Sequence, residues 1–318
     1  MKIIFMGTPD FAVETLEALV RAGHQVVLAV TQPDQPKGRG KSLQFPAVKQ
    51  AALAHNIEVY QPQRVRRPEC IAYLKNYEPE LIVVAAFGQI LPPAILSMPK
   101  YGCINVHASL LPKYRGAAPI QWAILNGEDI AGVTIMQMDS GIDTGDMLEK
   151  AQIPLAADET GGSLFNKLAA LGAALCVQTI EKIENGTAVR AKQDDALATQ
   201  VGMITKEMGR IDWNCPAVQI ERLIRALDPW PSAFTHLRGK TLKIWRARVL
   251  AGGDPKEAGT IVSCEKNSLL VQTGEGILSL KEVQLEGKKR MPIDAFLCGY
   301  PVEKGMALGM HENMHAKI

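Results

Sequence analysis

Short apolar runs alternate with helix-period segments through the first half of the chain. Residues 2–6 (KIIFM) read as a buried strand. Thr8 and Pro9 then fit an N-cap and a first helical position, with Val13, Leu16 and Val20 along one face. The next strand is expected at 25–31, helices at 46–55 and 68–77, and strands at 81–85 (LIVVA) and 103–107 (CINVH). Further strands fit 133–138 and 147–153, and Leu164, Leu168, Leu171 and Leu175 mark one face of a long helix that ends before Asn185-Gly186. Strand and helix in alternation imply an α/β fold, a parallel sheet covered on both faces.

The periodicity is lost from 189 to 206, where AKQDDALATQ carries no placeable element, and this stretch is expected to be a linker between domains 1–188 and 207–318. Beyond it, Ile220, Leu223, Ile224 and Leu227 predict an amphipathic helix that Pro229 and Pro231 terminate. Short β-like runs punctuated by glycine then fill residues 232–300, as in a small barrel or sandwich.

Composition narrows the class. The 318 residues suffice for two packed domains, and the six cysteines form no CxxC pair and no Cys/His cluster, against both a zinc site and a secreted disulfide framework. A reducing, cytoplasmic setting is expected. The opening MKIIFMGTPDF is too short in apolar residues for a signal segment, and no run is expected to reach a membrane span. Residues 1–205 carry 18 Lys and Arg against 20 Asp and Glu, whereas 206–318 carry 17 against 13, so the basic excess lies in the C-terminal third. No coiled-coil pattern or long apolar edge demands a partner, and a monomer is expected.

Candidate chemistry concentrates on CINVH. Asn105 and His107 lie two apart on a strand, so both project from one face, where open α/β sheets place their sites. An amide donor beside a titratable imidazole can hold an oxyanion and move a proton; equally, the pair can be structural. In MDSGIDTGDM, Asp139, Asp143 and Asp146 could return a carboxylate to the same sheet edge or simply build a surface turn; their spacing does not match a calcium loop, and no metal is expected. QPKGRGKS lacks the first glycine of a phosphate loop, and MGTPDF lacks GxGxxG. Lys37, Arg39 and Lys41 form either a flexible basic arm able to contact phosphates or a solvated loop. Lys243, Arg246 and Arg248 surround Trp245 on one predicted strand, followed later by KKR at 288–290; these suit a nucleic-acid backbone or an ordinary exposed face.

Five segments go beyond generic pattern. FMGTPDFAV at the start, AAFGQILP at 85–92, NVHASLLPKYRGAAPIQWAI at 105–124, GVTIMQMDSGIDTGDM at 132–147 and RIDW at 210–213 resemble the methionyl-tRNA formyltransferases over nearly the whole chain. The resemblance implies a Rossmann-like formyltransferase domain with a parallel-rich sheet, followed by a small OB-like β-barrel. It also implies 10-formyltetrahydrofolate as donor and methionyl initiator tRNA as acceptor. Carried over by position, the catalytic Asn, His and Asp fall on Asn105, His107 and Asp143. The folate-binding segment falls on Ser109, Leu110, Leu111 and Pro112, and the pterin-pocket positions on Phe87 and Gly88. Arg39 matches the arginine of a loop that enters the acceptor stem, and Lys206 with RIDW is retained while Gly202 and Met203 replace other residues. Lys37, Lys41, Lys243, Arg246 and Arg248 complete the expected tRNA-binding set. Two other readings stay open: a formyltransferase with a small acceptor such as a nucleotide-linked amino sugar, and an RNA-binding protein with an inert α/β domain.

Overall fold

In the computed structural model, which describes residues 1–37, 42–254 and 257–309, the first apolar run forms β1 (Lys2–Gly7). It is followed by α1 (Asp10–Arg21), β2 (Gln25–Val30), the hairpin strands β3 (Gln35–Lys37) and β4 (Ser42–Gln44), α2 (Ala47–Ala54) and β5 (Val59–Tyr60). Next come α3 (Pro68–Lys75), β6 (Leu81–Ala85), α4 (Pro93–Leu96), β7 (Cys103–His107), β8 (Arg115–Gly116) and α5 (Pro119–Leu125). Strands β9 (Ile130–Gln137) and β10 (Met147–Pro154), helix α6 (Gly161–Glu184) and β11 (Gln200–Val201) follow. The chain divides into two compact units. The first comprises Met1–Pro119, Ile130–Leu155 and Phe165–Gly202, and the second comprises Ile120–Asp129, Ala156–Leu164 and Met203–Ile318.

The first unit is built on a seven-stranded sheet of order β10-β9-β7-β6-β1-β2-β5. From β7 to β5 all neighbours are parallel, and every residue of β6 is buried, as expected of a strand covered on both faces. The alternation of elements does not extend to the edge: β9 runs antiparallel to β7, and β10 antiparallel to β9. The nine residues between β9 and β10 are too few for a parallel crossover, which needs a dozen or more.

Two local expectations are corrected. Helix α1 begins at Asp10 with Pro9 at its cap, and Thr8 does not cap it. The Thr8 hydroxyl instead donates to the Phe87 carbonyl and accepts the Gln32 amide, both at 3.2 Å, tying together two loops at the end of the sheet. Helix α6 is, by length and composition, apolar enough to cross a membrane, contrary to the expectation that no run would be. Half of its most apolar window is buried in the protein, and Leu168, Cys176 and Ile180 have no exposure.

The second unit holds α7 (Ala217–Ala226), β12 (Ala233–Leu237), β13 (Lys240–Leu250), β14 (Ile261–Glu265), β15 (Ser268–Gln272), β16 (Ile277–Leu285), β17 (Met291–Pro292) and α8 (Ile293–Gly299). Its antiparallel sheet has the order β12-β13-β16-β15-β14, with β17 also paired to β16. The apolar stripe of α7, Ile220 and Ile224, packs with Leu242, Ile244 and Val283 in one buried cluster.

Candidate active site

Strand β7 positions the first two site residues by simple alternation. Cys103, Asn105 and His107 share a face on which Cys103 joins an apolar cluster with Ile82 and Val84. Val106 points the other way, against α6, where Gly172 comes so close that a Cβ there would lie 2.8 Å from its methyl. One face of the strand therefore turns from apolar to polar within five residues.

His107 is only 5% exposed. Its Nε2 lies 2.9 Å from the carbonyl oxygen of Tyr114; a carbonyl only accepts, so Nε2 carries a proton and Nδ1 is the nitrogen left for chemistry. Nδ1 lies 3.6 Å from Oδ2 of Asp143, beyond a direct hydrogen bond. Asn105 Nδ2 donates to Oδ1 of the same carboxylate over a long 3.4 Å. Oδ2 accepts the Gly116 amide at 2.9 Å. The structure thus brings Asn105, His107 and Asp143 together.

Asp143 sits in the β9–β10 loop with φ +55, a left-handed conformation unusual for a residue with a side chain. Close to it, any Cβ on Gly145 would collide with the Gln137 carbonyl oxygen. Asp139 and Asp146 serve the loop instead: the Asp139 carboxylate accepts the Thr144 hydroxyl at 2.7 Å, and the Asp146 carbonyl accepts the Gln137 amide at 2.8 Å. Among the described residues no cluster of His, Cys, Asp and Glu could hold a metal.

Ser109 to Pro112 follow β7 directly. Ser109 Oγ donates to the Lys113 carbonyl, and Lys150 Nζ donates to the Leu111 carbonyl. Buried Thr134 on β9 donates to the Ser109 carbonyl at 2.7 Å and accepts the Leu111 amide at 3.1 Å. Leu111 is buried and Leu110 half-buried. The Phe87 ring lies in the apolar cluster with 2% exposure, so at this turn the sheet edge presents backbone and the exposed Gly88, at φ +82.

The expected tRNA-binding residues are dispersed. Lys37 ends β3, paired with Ser42, while Arg39 and Lys41 lie outside the described residues. Lys206 is exposed, just before a short turn of 3₁₀ helix at Glu207–Gly209. On β13 a bulge falls at Trp245: Ile244 pairs with Val283 and Arg246 with Glu282, leaving Trp245 as the extra residue. The bulge breaks the simple alternation, and among the described residues the cations over the Trp245 ring are Lys243, at 5.6 Å, and Arg290, at 4.7 Å. Arg246 and Arg248 are exposed and do not complete a cage around it.

Several groups at the site escaped the sequence reading: the Tyr114 carbonyl, the Gly116 amide, Thr134 and Gln193. Gln193 donates to the carbonyls of Asp143 and Gly145, and the buried Arg115 donates to Gln193. Three of these act through backbone groups or lie in a polar stretch without periodicity, which leaves no side-chain signal to read.

An amide donor, an imidazole with one committed nitrogen and a carboxylate, gathered on a mixed α/β sheet, suit acyl transfer. The formyl transferase family model matches residues 1–180, and the model of the formyl transferase C-terminal domain matches residues 203–301. The chain belongs to the formyl transferase family, and within it to the methionyl-tRNA formyltransferases. It is 61% identical to the methionyl-tRNA formyltransferase of Agathobacter rectalis, over 96% of this chain and 98% of that one. It is 52% identical to that of Lachnospira eligens (97% and 100%) and 50% identical to that of Geobacter metallireducens (97% and 99%). Among solved structures, the sugar 3N-formyl transferase WlaRD matches at a TM-score of 0.63 with 21% identity, over 91% of this chain and 99% of that one. HypX from Aquifex aeolicus in complex with tetrahydrofolic acid matches at 0.60 with 17% identity, over 98% and 51%. These two show likeness of fold.

Proposed function

We propose that the chain transfers the formyl group of 10-formyltetrahydrofolate to the α-amino group of methionyl initiator tRNA, in the cytoplasm and as a monomer. The observation that carries this reading is the 61% identity over nearly full length to a methionyl-tRNA formyltransferase, in a chain that gathers Asn105, His107 and Asp143 at one site.

The donor set fits an N-formyl substrate. Among the described residues Asn105 Nδ2 has a single long contact, so an amide proton remains for the formyl oxygen, and the exposed Gly88 leaves backbone open at the neighbouring turn. Ser109 to Pro112 and the turn at Phe87 and Gly88 would hold the folate, which supplies an activated formyl group when bound. Asn105 stabilises negative charge as it develops on the formyl oxygen, a role that needs a donor already in place. His107 takes and returns a proton at Nδ1, because Nε2 is committed to Tyr114. Asp143, held by the Gly116 amide, faces Nδ1 at 3.6 Å and stabilises positive charge that develops on the ring as the amine attacks. A free α-amino group titrates at about 8, so deprotonating the acceptor is a modest demand and positioning contributes as much as proton transfer. For the tRNA, Lys37, Arg39, Lys41, Lys206, Lys243, Arg246 and Arg248 supply phosphate contacts that screen with salt.

The test is formyl transfer to methionyl initiator tRNA beside methionyl elongator tRNA and free methionine, with Asp143→Asn as control. Turnover confined to the initiator and lost in the control is expected. No transfer to any of the three would overturn the acceptor assignment and direct the search to small amines.

A further inference from the structure

We propose that Gln193 is a positioning residue for formyl transfer: its side-chain amide fixes the loop that carries Asp143 and thereby holds the carboxylate against His107 and Asn105. The inference rests on the function proposed above and adds to it a residue from a segment with no regular periodicity.

The loop at 138–146 is held at its ends, by the Met138 amide on the Cys103 carbonyl and the Gln137 amide on the Asp146 carbonyl. Its apolar side chain Ile142 is 62% exposed, and a cavity of about 620 Å³, lined in part by Asp139, Thr144, Asp146 and Lys192, lies against it. Met138 packs at the start of the loop against the cluster around Ile82 and Val84, but Ile142, the apolar neighbour of Asp143, is exposed and does not fix its left-handed conformation. Hydrogen bonds therefore carry that task, and two of them come from one group. Gln193 Nε2 donates to the carbonyl of Asp143 and to that of Gly145, both at 2.8 Å. The loop is gripped on either side of Thr144.

Gln193 is itself held. Its Oε1 accepts Nε of Arg115 at 2.9 Å, and the buried Arg115 guanidinium pairs with Asp195 at 2.7 Å. Two acceptors on one side and a guanidinium donor on the other leave a single sensible orientation for the amide. The backbone is anchored as well: Ala191 exchanges both amide hydrogen bonds with Met147 at the start of β10, and β11 pairs with β8. Arg115 and Gly116 are adjacent, so the residue that orients Gln193 neighbours the amide that holds the carboxylate of Asp143. The carboxylate and the backbone of Asp143 are thus fixed from one platform.

A role through Asp143 has a signature that a purely structural role lacks. Asp143 is the charged group brought to His107 from the loop; from β9, the residue opposite His107 is uncharged Thr134. Losing the carboxylate's position takes away a group used in the chemical step and leaves the binding of both substrates in place, so it lowers kcat and spares KM. Gln193→Glu keeps the size of the side chain and its partner Arg115, but it offers acceptors where two carbonyls need donors. Gln193→Ala removes the side chain without adding a charge.

The experiment measures kcat and both KM values for the unaltered protein and for Gln193→Glu, Gln193→Ala and Asp143→Asn, with thermal unfolding of each. The expected result is a fall in kcat approaching about 10²-fold for both Gln193 variants, the scale of misplacing a catalytic group by about 1 Å, with KM values changed less than about threefold. If Asp143→Asn stops turnover while both Gln193 variants stay within about twofold of the unaltered protein, the positioning role is wrong and the function proposed for Asp143 stands. A rise in either KM as large as the fall in kcat also overturns it. Full activity of Asp143→Asn would overturn the role of Asp143 and this inference together, whereas no transfer by the unaltered protein would overturn the function itself.

Discussion

The backbone amide of Gly116 and the carboxylate of Asp143 meet at 2.9 Å, so one oxygen of the acidic residue is held by a group that no side-chain pattern reports. Gly116 has φ +104, and a Cβ on it would fall 2.5 Å from the Val201 carbonyl oxygen where β8 meets β11. Conformation and space both require glycine. Gly116→Ala is expected to cost about 1–3 kcal/mol of stability through backbone strain and to lower kcat more than it raises either KM. Chemical denaturation and steady-state kinetics on the same preparation check this; unchanged kcat would show that Asp143 does not depend on that amide.

Asn105→Ala is expected to lower kcat by about 10²–10³, the scale of deleting one oxyanion donor, with much smaller changes in KM. Single-turnover formyl transfer separates the chemical step from binding. A loss below about fivefold would take Asn105 out of the role.

Thr134 is fully buried and serves two backbone groups of the segment after β7. Thr134→Val keeps the shape but leaves the Leu111 amide and the Ser109 carbonyl without it, for an expected cost of about 1–3 kcal/mol. Because those groups belong to the segment assigned to folate, KM for the formyl donor should rise more than KM for the tRNA. Equal effects on both would argue against that assignment.

In the second unit, Arg290 donates to Glu282 at 2.8 Å and lies over Trp245. Its hydrogen bond holds the Glu282 carboxyl below the ordinary value of 4.5. The lowered value means that the pair stabilises the fold above the unfolded carboxylate's titration and ceases to do so as pH falls through the folded value. Arg290→Met is expected to destabilise the protein by about 1 kcal/mol at pH 7, since the pair is partly exposed. The difference should shrink below about pH 4 without vanishing, because the cation over Trp245 persists in acid. Urea unfolding at pH 7 and pH 3 measures it, and an equal difference at both would remove Glu282 from the account.

Much of the fold is legible because the central strands are short continuous apolar runs. LIVVA and CINVH appear at the expected positions, and α6 ends where Asn185-Gly186 stops it. Strand direction at the sheet edge is not carried by the helix–strand alternation, and only the short connection before β10 hints at it. The common face of Asn105 and His107 follows from the period of a strand. The nearness of Asp143 does not, since it depends on a loop folding back in a left-handed turn, and here the motif resemblance supplied what spacing could not. Thr8 looks like a helix cap by residue type, yet its hydroxyl is taken by Phe87 and Gln32. The nearer cation over Trp245, Arg290, comes from outside β13, a contact that the pattern along one strand cannot report.

The strap formed by β8, β11 and the residues between Ala191 and Val201 bears on how this chain can be cut and recombined. A fragment ending with α6 would keep all seven strands of the large sheet together with Asn105, His107 and Asp143, and by inventory would look complete. It would lack Gln193, Asp195 and the strand that pairs with β8, leaving Arg115 buried without its counter-charge. The working boundary of the formyl-transfer module therefore runs to Gly202, and a chimera joining it to a foreign acceptor-binding domain must carry the strap with it.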